Sequence, residues 1–139
     1  MTKLTFCDYQ ERAYTAIQPH TDQKDLVLNW LVGVAEETGE VLSLFKHHFW
    51  GSEEIDLVAL SKELGDILWY TNAIATALGI DLSVVAELNV EKLEHRFGGA
   101  FTTKASSERH SLESRFADTE VYKDLVSQLR LKTQEVDTL

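Results

Sequence analysis

The stretch GVAEETGEVLSLFKHHFWGSEEIDLVALSKELGD, residues 33–66, decides how the rest of the chain is read. Its first half carries Glu36, Glu37 and Glu40 among apolar residues, and its end carries Glu63 and Asp66. Residues three or four apart share a helix face, so Glu36 pairs with Glu40, Glu37 with Glu40, and Glu63 with Asp66. Between the two groups Trp50-Gly51-Ser52 reads as a turn. Two helices folded back antiparallel across it bring five carboxylates to one place.

Working outward, the apolar spacing predicts helices on both sides of the stretch. Phe6, Tyr9, Ala13 and Ile17 mark a short first helix within residues 5–17. Gln18-Pro19-His20-Thr21-Asp22 interrupts it, with Thr21 or Asp22 placed to cap the next helix. That second helix is expected from about 23 to 48. Leu28, Leu31, Ala35, Leu42 and Phe45 form its apolar side, and Trp30, Val34, Val41 and Leu44 widen that side almost all round. Such a helix is normally buried on more than one face. A third helix is expected over 55–78, with Gly79 just past its end. A fourth is expected over 82–96, capped by Asp81 and carrying Leu82, Val85, Ala86 and Leu93 as its inner stripe, with Gly98-Gly99 ending it. Residues 100–110 read as an extended polar connection, and residues 119–132 as a last helix with Val121, Leu125, Gln128 and Leu129 on one side. No strand signal survives these alternatives, so the fold class is all-α. The expected organisation is a four-helix part over residues 1–99, followed by an appended segment over 100–139, a polar connection and a last helix, that packs on the domain or on a neighbouring subunit.

Composition narrows the partners. The chain has 139 residues, enough for one domain, with a single proline and seven glycines, a composition that favours long helices. Its net charge of −10 makes it a poor ligand for nucleic acid polymers, whose affinity comes mainly from Lys and Arg on phosphates. A small polyanion can still bind if metal ions stand between it and the carboxylates. No apolar run approaches the roughly 20 residues of a membrane span. MTKLTFCDYQ lacks the apolar core of a secretion signal, and the lone Cys7 fits a reducing cytoplasm. Two helices this apolar leave more surface than one small bundle covers, so association into a homodimer or homotetramer is expected.

Acids on a helix usually form a solvated face, and here that reading fits badly. Glu36 and Glu40 are a like-charge i,i+4 pair, which costs roughly a few tenths of a kcal/mol. Glu37, Glu40, Glu63 and Asp66 have Val41, Leu44, Ile67 and Tyr70 four residues on, so none has a basic partner there. Only Lys62 can pair with Asp66, in the weaker orientation. Set in apolar helices, these carboxylates are expected to be buried, and burying unpaired charge is costly. Shared protons could settle two carboxylates but not five. A hard divalent cation with oxygen ligands is the better answer, and no cysteine pair is present to suggest zinc.

The motifs EETGE at 36–40 and ELGD at 63–66 resemble the EExxE…ExxD signature of MazG-type nucleotide pyrophosphohydrolases. The adjoining ILWYTNAIATALGIDLSVVAELNVEKLEHRF, residues 67–97, resembles the same all-α family, and the likeness covers about residues 26–97. It implies Mg²⁺-dependent hydrolysis of a nucleoside triphosphate, (d)NTP, to the monophosphate and pyrophosphate, with Mn²⁺ as a possible substitute. The reaction would serve to clear non-standard or surplus nucleotides. By motif position Glu37, Glu40, Glu63 and Asp66 would hold the metal, and Glu36 would be a further ligand or the base that orients water.

For substrate contacts the resemblance points to Asn89, Lys92 and Arg96, which are expected on one face of the fourth helix and within reach of phosphates. The plainer alternatives are a satisfied buried amide at Asn89 and surface charge at the two basic residues. Tyr70 lies one turn after Asp66. His47 stands where relatives can carry an aromatic that stacks on the base, a departure that leaves base preference open. Trp69 and Tyr70 also suit a core, and His20 and Trp30 read as structural. ASSERH at 105–110 faintly resembles a tail segment of some relatives, which would bring Lys104 and Arg109 toward phosphate; a polar linker is the simpler alternative. Two other functions share these helices: phosphoribosyl-ATP pyrophosphohydrolase, and a non-catalytic metal-stabilised interaction module.

Overall fold

A computed structural model describes residues 3–16, 23–52, 54–98 and 107–136. Among them are six helices and no strand: α1 (Phe6–Tyr14), α2 (Gln23–Gly51), α3 (Leu57–Ala77), α4 (Leu82–Phe97), α5 (Arg109–Ala117) and α6 (Glu120–Val136). The all-α expectation holds. The chain divides into two compact units, residues 1–78 and residues 79–139.

In the first unit α1 opens on a capping box. The Thr5 hydroxyl accepts from the Asp8 amide, and the Asp8 carboxylate accepts from the Thr5 amide. The helix ends at Tyr14; Ile17, Pro19, His20 and the expected caps Thr21 and Asp22 lie outside the described residues. α2 continues three residues past its expected end, to Gly51. Ser52 then turns the chain at φ 61°, and Asp56 caps α3 by accepting from the amides of Val58 and Ala59. α2 and α3 run antiparallel: Gly33 meets Tyr70, while Glu37, further along α2, meets Asp66 and Glu63, earlier on α3. α1 packs on the later part of α3, where Gln10 donates to the Thr76 hydroxyl at 3.2 Å. Trp30, Ala73 and Ala75 are buried, Trp30 in keeping with its structural reading.

One expectation fails here. Leu28, Leu31 and Leu42, read as a buried side of α2, are 61%, 52% and 65% exposed. A 29-residue helix in a three-helix unit is simply longer and more apolar than α3 alone covers.

The second unit begins at Gly79, whose φ of 64° is the left-handed turn expected after α3. Asp81 caps α4 by accepting from the Ser83 amide, and Gly98 ends it at φ 56°. α4 packs against both α5 and α6. Leu82 and Val84, both in the first turn of α4, are buried; Val85 and Leu93, expected on the inner stripe, are each 37% exposed. α5 occupies a region where no helix was expected. Its sequence RHSLESRFA has no apolar stripe, and no side chain caps its start. It is held by packing, with Phe116 buried and its ring edge-to-face with Tyr122 at 5.4 Å. On α6 Leu125 is buried as expected, whereas Val121 and Gln128 are exposed.

Candidate metal centre

Glu37 stands on the side of α2 that meets α3, and Glu63 and Asp66 stand one turn apart on α3. One carboxylate oxygen from each lies within 4.8 Å of the others. Glu37 and Glu63 are half-buried and Asp66 is exposed. Partial burial raises the pKa of Glu37 above the usual carboxylate range. The charges of Asp66, Glu63 and Glu36 push it the same way, as does a hydrogen bond with Glu63. Among the described residues no Lys or Arg forms an ion pair with any of the three acids.

Glu36 and Glu40 are exposed and stand outside this group of three. Three residues of α-helix turn through about 300°, so Glu40 sits about 60° round the helix from Glu37 and Glu36 about 100° round on the same side. Both line the edge of the cluster. The acids are therefore less enclosed than their apolar neighbours suggested, because the flank of α2 beside them is open.

Two further side chains bear on the site. Tyr70, one turn beyond Asp66, lies against Gly33: a Cβ at Gly33 would stand 2.4 Å from the Tyr70 ring. Tyr70 also meets Trp69 edge-to-face, with centroids 5.0 Å apart. The Tyr9 hydroxyl on α1 has its pKa raised by partial burial first and by the Asp66 charge next. Nothing in the sequence spacing singles out Tyr9, since α1 reaches α3 only through tertiary packing.

The expected substrate residues belong to both units. His47 is exposed near the end of α2, in the first unit. Asn89, Lys92 and Arg96 belong to α4, in the second. Asn89 is exposed, so its amide is not a buried one. Lys92 is half-buried. Arg96 is 12% exposed, pairs with Glu113 of α5 and lies 5.5 Å over the Phe97 ring. Lys104 lies outside the described residues, as does the side chain of Arg109.

Three converging carboxylates with no basic partner suit a hard divalent cation, which prefers oxygen ligands and supplies the missing positive charge. Fold and site thus define a class: an all-helical protein whose antiparallel helix pair presents a carboxylate cluster able to hold a metal ion. Residues 27–101 match the model of the MazG nucleotide pyrophosphohydrolase domain, more than half of the chain, and the chain belongs to that family. The match spans both acidic motifs and all of α4. No curated protein and no solved structure matches the chain.

Proposed function

We infer that the chain hydrolyses a nucleoside triphosphate, (d)NTP, to the monophosphate and pyrophosphate, with Mg²⁺ as cofactor and Mn²⁺ as a substitute. The observation that carries this reading is the meeting of Glu37, Glu63 and Asp66 within 4.8 Å, inside a family of nucleotide pyrophosphohydrolases. Residues 1–99 would then form the catalytic part, and residues 100–139 an appended segment. The natural task is clearance of non-standard or surplus nucleotides in the cytoplasm.

Glu37, Glu63 and Asp66 would hold the ion, with Glu40 closing the set from the open flank of α2. A cation held there would supply positive charge against the phosphates and a more acidic water for attack on the anhydride. The chain's own residues divide the rest of the work. The raised pKa of Glu37 makes it a better proton acceptor than an ordinary glutamate until a cation takes its place. Glu36, exposed on α2 next to Glu37, would be a further ligand or the base that orients water. Tyr70, backed by Gly33, provides a fixed wall at one end. Asn89, Lys92 and His47 are the candidates for reading substrate, and Arg96 joins them only by leaving Glu113.

Pyrophosphate release from a panel of (d)NTPs, with Mg²⁺ and then with EDTA, tests the reading. Release from at least one triphosphate, abolished by EDTA and lowered roughly 100-fold or more in Asp66→Asn, is expected. Hydrolysis of phosphoribosyl-ATP alone would redirect the assignment to that relative of the reaction. Absence of metal-dependent release from every nucleotide would sink it.

A further inference from the structure

Gly33 and Gly39 on α2 and Gly65 on α3 lie in the interiors of the two helices that carry the acids. They are not alike. A Cβ on Gly39 or Gly65 would meet nothing within 4 Å, whereas a Cβ on Gly33 would stand 2.5 Å from Cζ of Tyr70. Gly33 is buried, and the edge of the Tyr70 ring lies against it, with Trp69 edge-to-face on that ring at 5.0 Å. Gly33 comes one turn before Glu37, and Tyr70 one turn after Asp66, a rise of about 6 Å on each helix. The contact therefore joins α2 to α3 one turn from the converging carboxylates on both helices at once. Helix axes pack about 8–10 Å apart, and the side chains at the contact decide where in that range a pair falls.

We propose that the Tyr70 ring, seated on Gly33, is the spacer that sets the separation of α2 and α3 at Glu37, Glu63 and Asp66, and so suits the cluster to a small divalent ion such as Mg²⁺ over a larger one such as Ca²⁺. Gly33 and Tyr70 are positioning residues, acting on the ion through the carboxylates. The proposal rests on the metal reading given above and adds what fixes the choice of ion. An ion between Glu37 on one helix and Glu63 and Asp66 on the other is gripped from both sides, so its fit follows the helix separation. Oxygen ligands stand about 2.0–2.1 Å from Mg²⁺ and about 2.3–2.6 Å from Ca²⁺, so opposed ligands differ in span by about 0.5–1 Å. A methyl at position 33 needs about 3.5 Å from a ring carbon, so relieving its clash takes a shift of about 1 Å. That shift is as large as the whole difference between the two ions. Mg²⁺ demands near-ideal geometry and tolerates it badly, while Ca²⁺ accepts a looser shell. If the ring swung off its seat instead, the helices would keep their spacing and the ion preference would not move.

Calorimetric titration of the full chain with Mg²⁺ and with Ca²⁺, without nucleotide, tests the proposal apart from catalysis. Gly33→Ala is expected to raise the Mg²⁺ dissociation constant about tenfold or more and the Ca²⁺ constant much less. Tyr70→Trp enlarges the ring over an intact Gly33 and should shift the ratio the same way, which keeps the test open if Gly33→Ala does not fold. Gly39→Ala and Gly65→Ala make the same chemical change in the same two helices, but into open space, and should leave both constants at wild-type values. General damage to the fold weakens both ions alike, so the ratio separates spacing from lost stability. A wild-type ratio in both Gly33→Ala and Tyr70→Trp overturns the proposal, and so does an equal shift in the two glycine controls. A wild type that binds neither ion removes the metal site itself, and the spacer's role with it.

Discussion

Glu37 carries the clearest electrostatic tension in the molecule. Its pKa is raised by partial burial first and by Asp66, Glu63 and Glu36 next. Between the ordinary glutamate range and that raised value, the folded chain keeps a proton that the unfolded chain has already released. Stability of the metal-free protein therefore falls as pH climbs through this window and levels off above it. Glu37→Gln removes the charge, so in EDTA at pH 7 its melting temperature should rise above wild type. With Mg²⁺ the order should reverse, because a ligand that binds only the folded state adds about 2.7 kcal/mol at a hundred times its dissociation constant. Melts at pH 4.5 and 7, with and without Mg²⁺, check both halves; a wild type that gains nothing from the ion would remove the metal site.

Asn72 poses the other residue-scale problem. It is fully buried in α3, and neither its amide nitrogen nor its amide oxygen has a hydrogen-bond partner. A buried polar group left unpaired costs about 1–3 kcal/mol, whereas an apolar group of similar shape costs nothing of the kind. Asn72→Leu should raise unfolding stability by about 1 kcal/mol or more in urea titration. A loss of stability would mean that an internal water or another group pairs the amide.

The α2–α3 pair shows what was legible in the sequence and what was not. Acidic spacing and missing basic partners pointed to five acids, Glu36, Glu37, Glu40, Glu63 and Asp66, of which Glu37, Glu63 and Asp66 come within 4.8 Å of one another; helical periodicity fixes which side chains share a face. The same periodicity cannot say which face a neighbour covers, so Leu28, Leu31 and Leu42 were expected inside and are exposed. Nor does local spacing reveal that Tyr9 feels the Asp66 charge through the packing of α1 on α3, or α5, whose residues carry no stripe and no cap. Gly33 stands at the edge of the acidic stretch, and its role is close packing. A Cβ there would stand 2.4 Å from the Tyr70 ring. Gly33→Ala must displace that ring and should cost about 1–3 kcal/mol in spite of its better helix propensity. Tyr70→Ala in the same chain should recover part of it, as a double-mutant cycle in urea would register.

Within the second unit, the Arg96–Glu113 pair ties α4 to α5. Arg96 is 12% exposed, so truncating Glu113 leaves a guanidinium mostly out of water without its carboxylate. Glu113→Ala should destabilise by about 1–3 kcal/mol, and Arg96→Met with Glu113→Leu should restore most of that loss. If Glu113→Ala were neutral, the pair would be a surface contact of little worth, and Arg96 would be free to serve substrate at no cost.

At the scale of the whole molecule, the decisive quantity is a net charge of −10 set against a polyanionic substrate. Protein and triphosphate repel at long range, and only the cation at the carboxylates reverses the sign close in. Repulsion over distances beyond about 8–10 Å is screened at physiological salt, while the short metal–phosphate contact is much less affected. Raising monovalent salt from low to physiological strength, with Mg²⁺ saturating, should therefore leave kcat/KM unchanged or raise it a few-fold. A basic nucleotide site behaves in the opposite way, because salt weakens the attraction that steers its ligand. A steep fall of kcat/KM with salt would show that local cations, with Lys92 and a released Arg96 as candidates, outweigh the charge of the chain. The same titration thus measures how far the acidic body of the protein leaves recognition of the triphosphate to the metal.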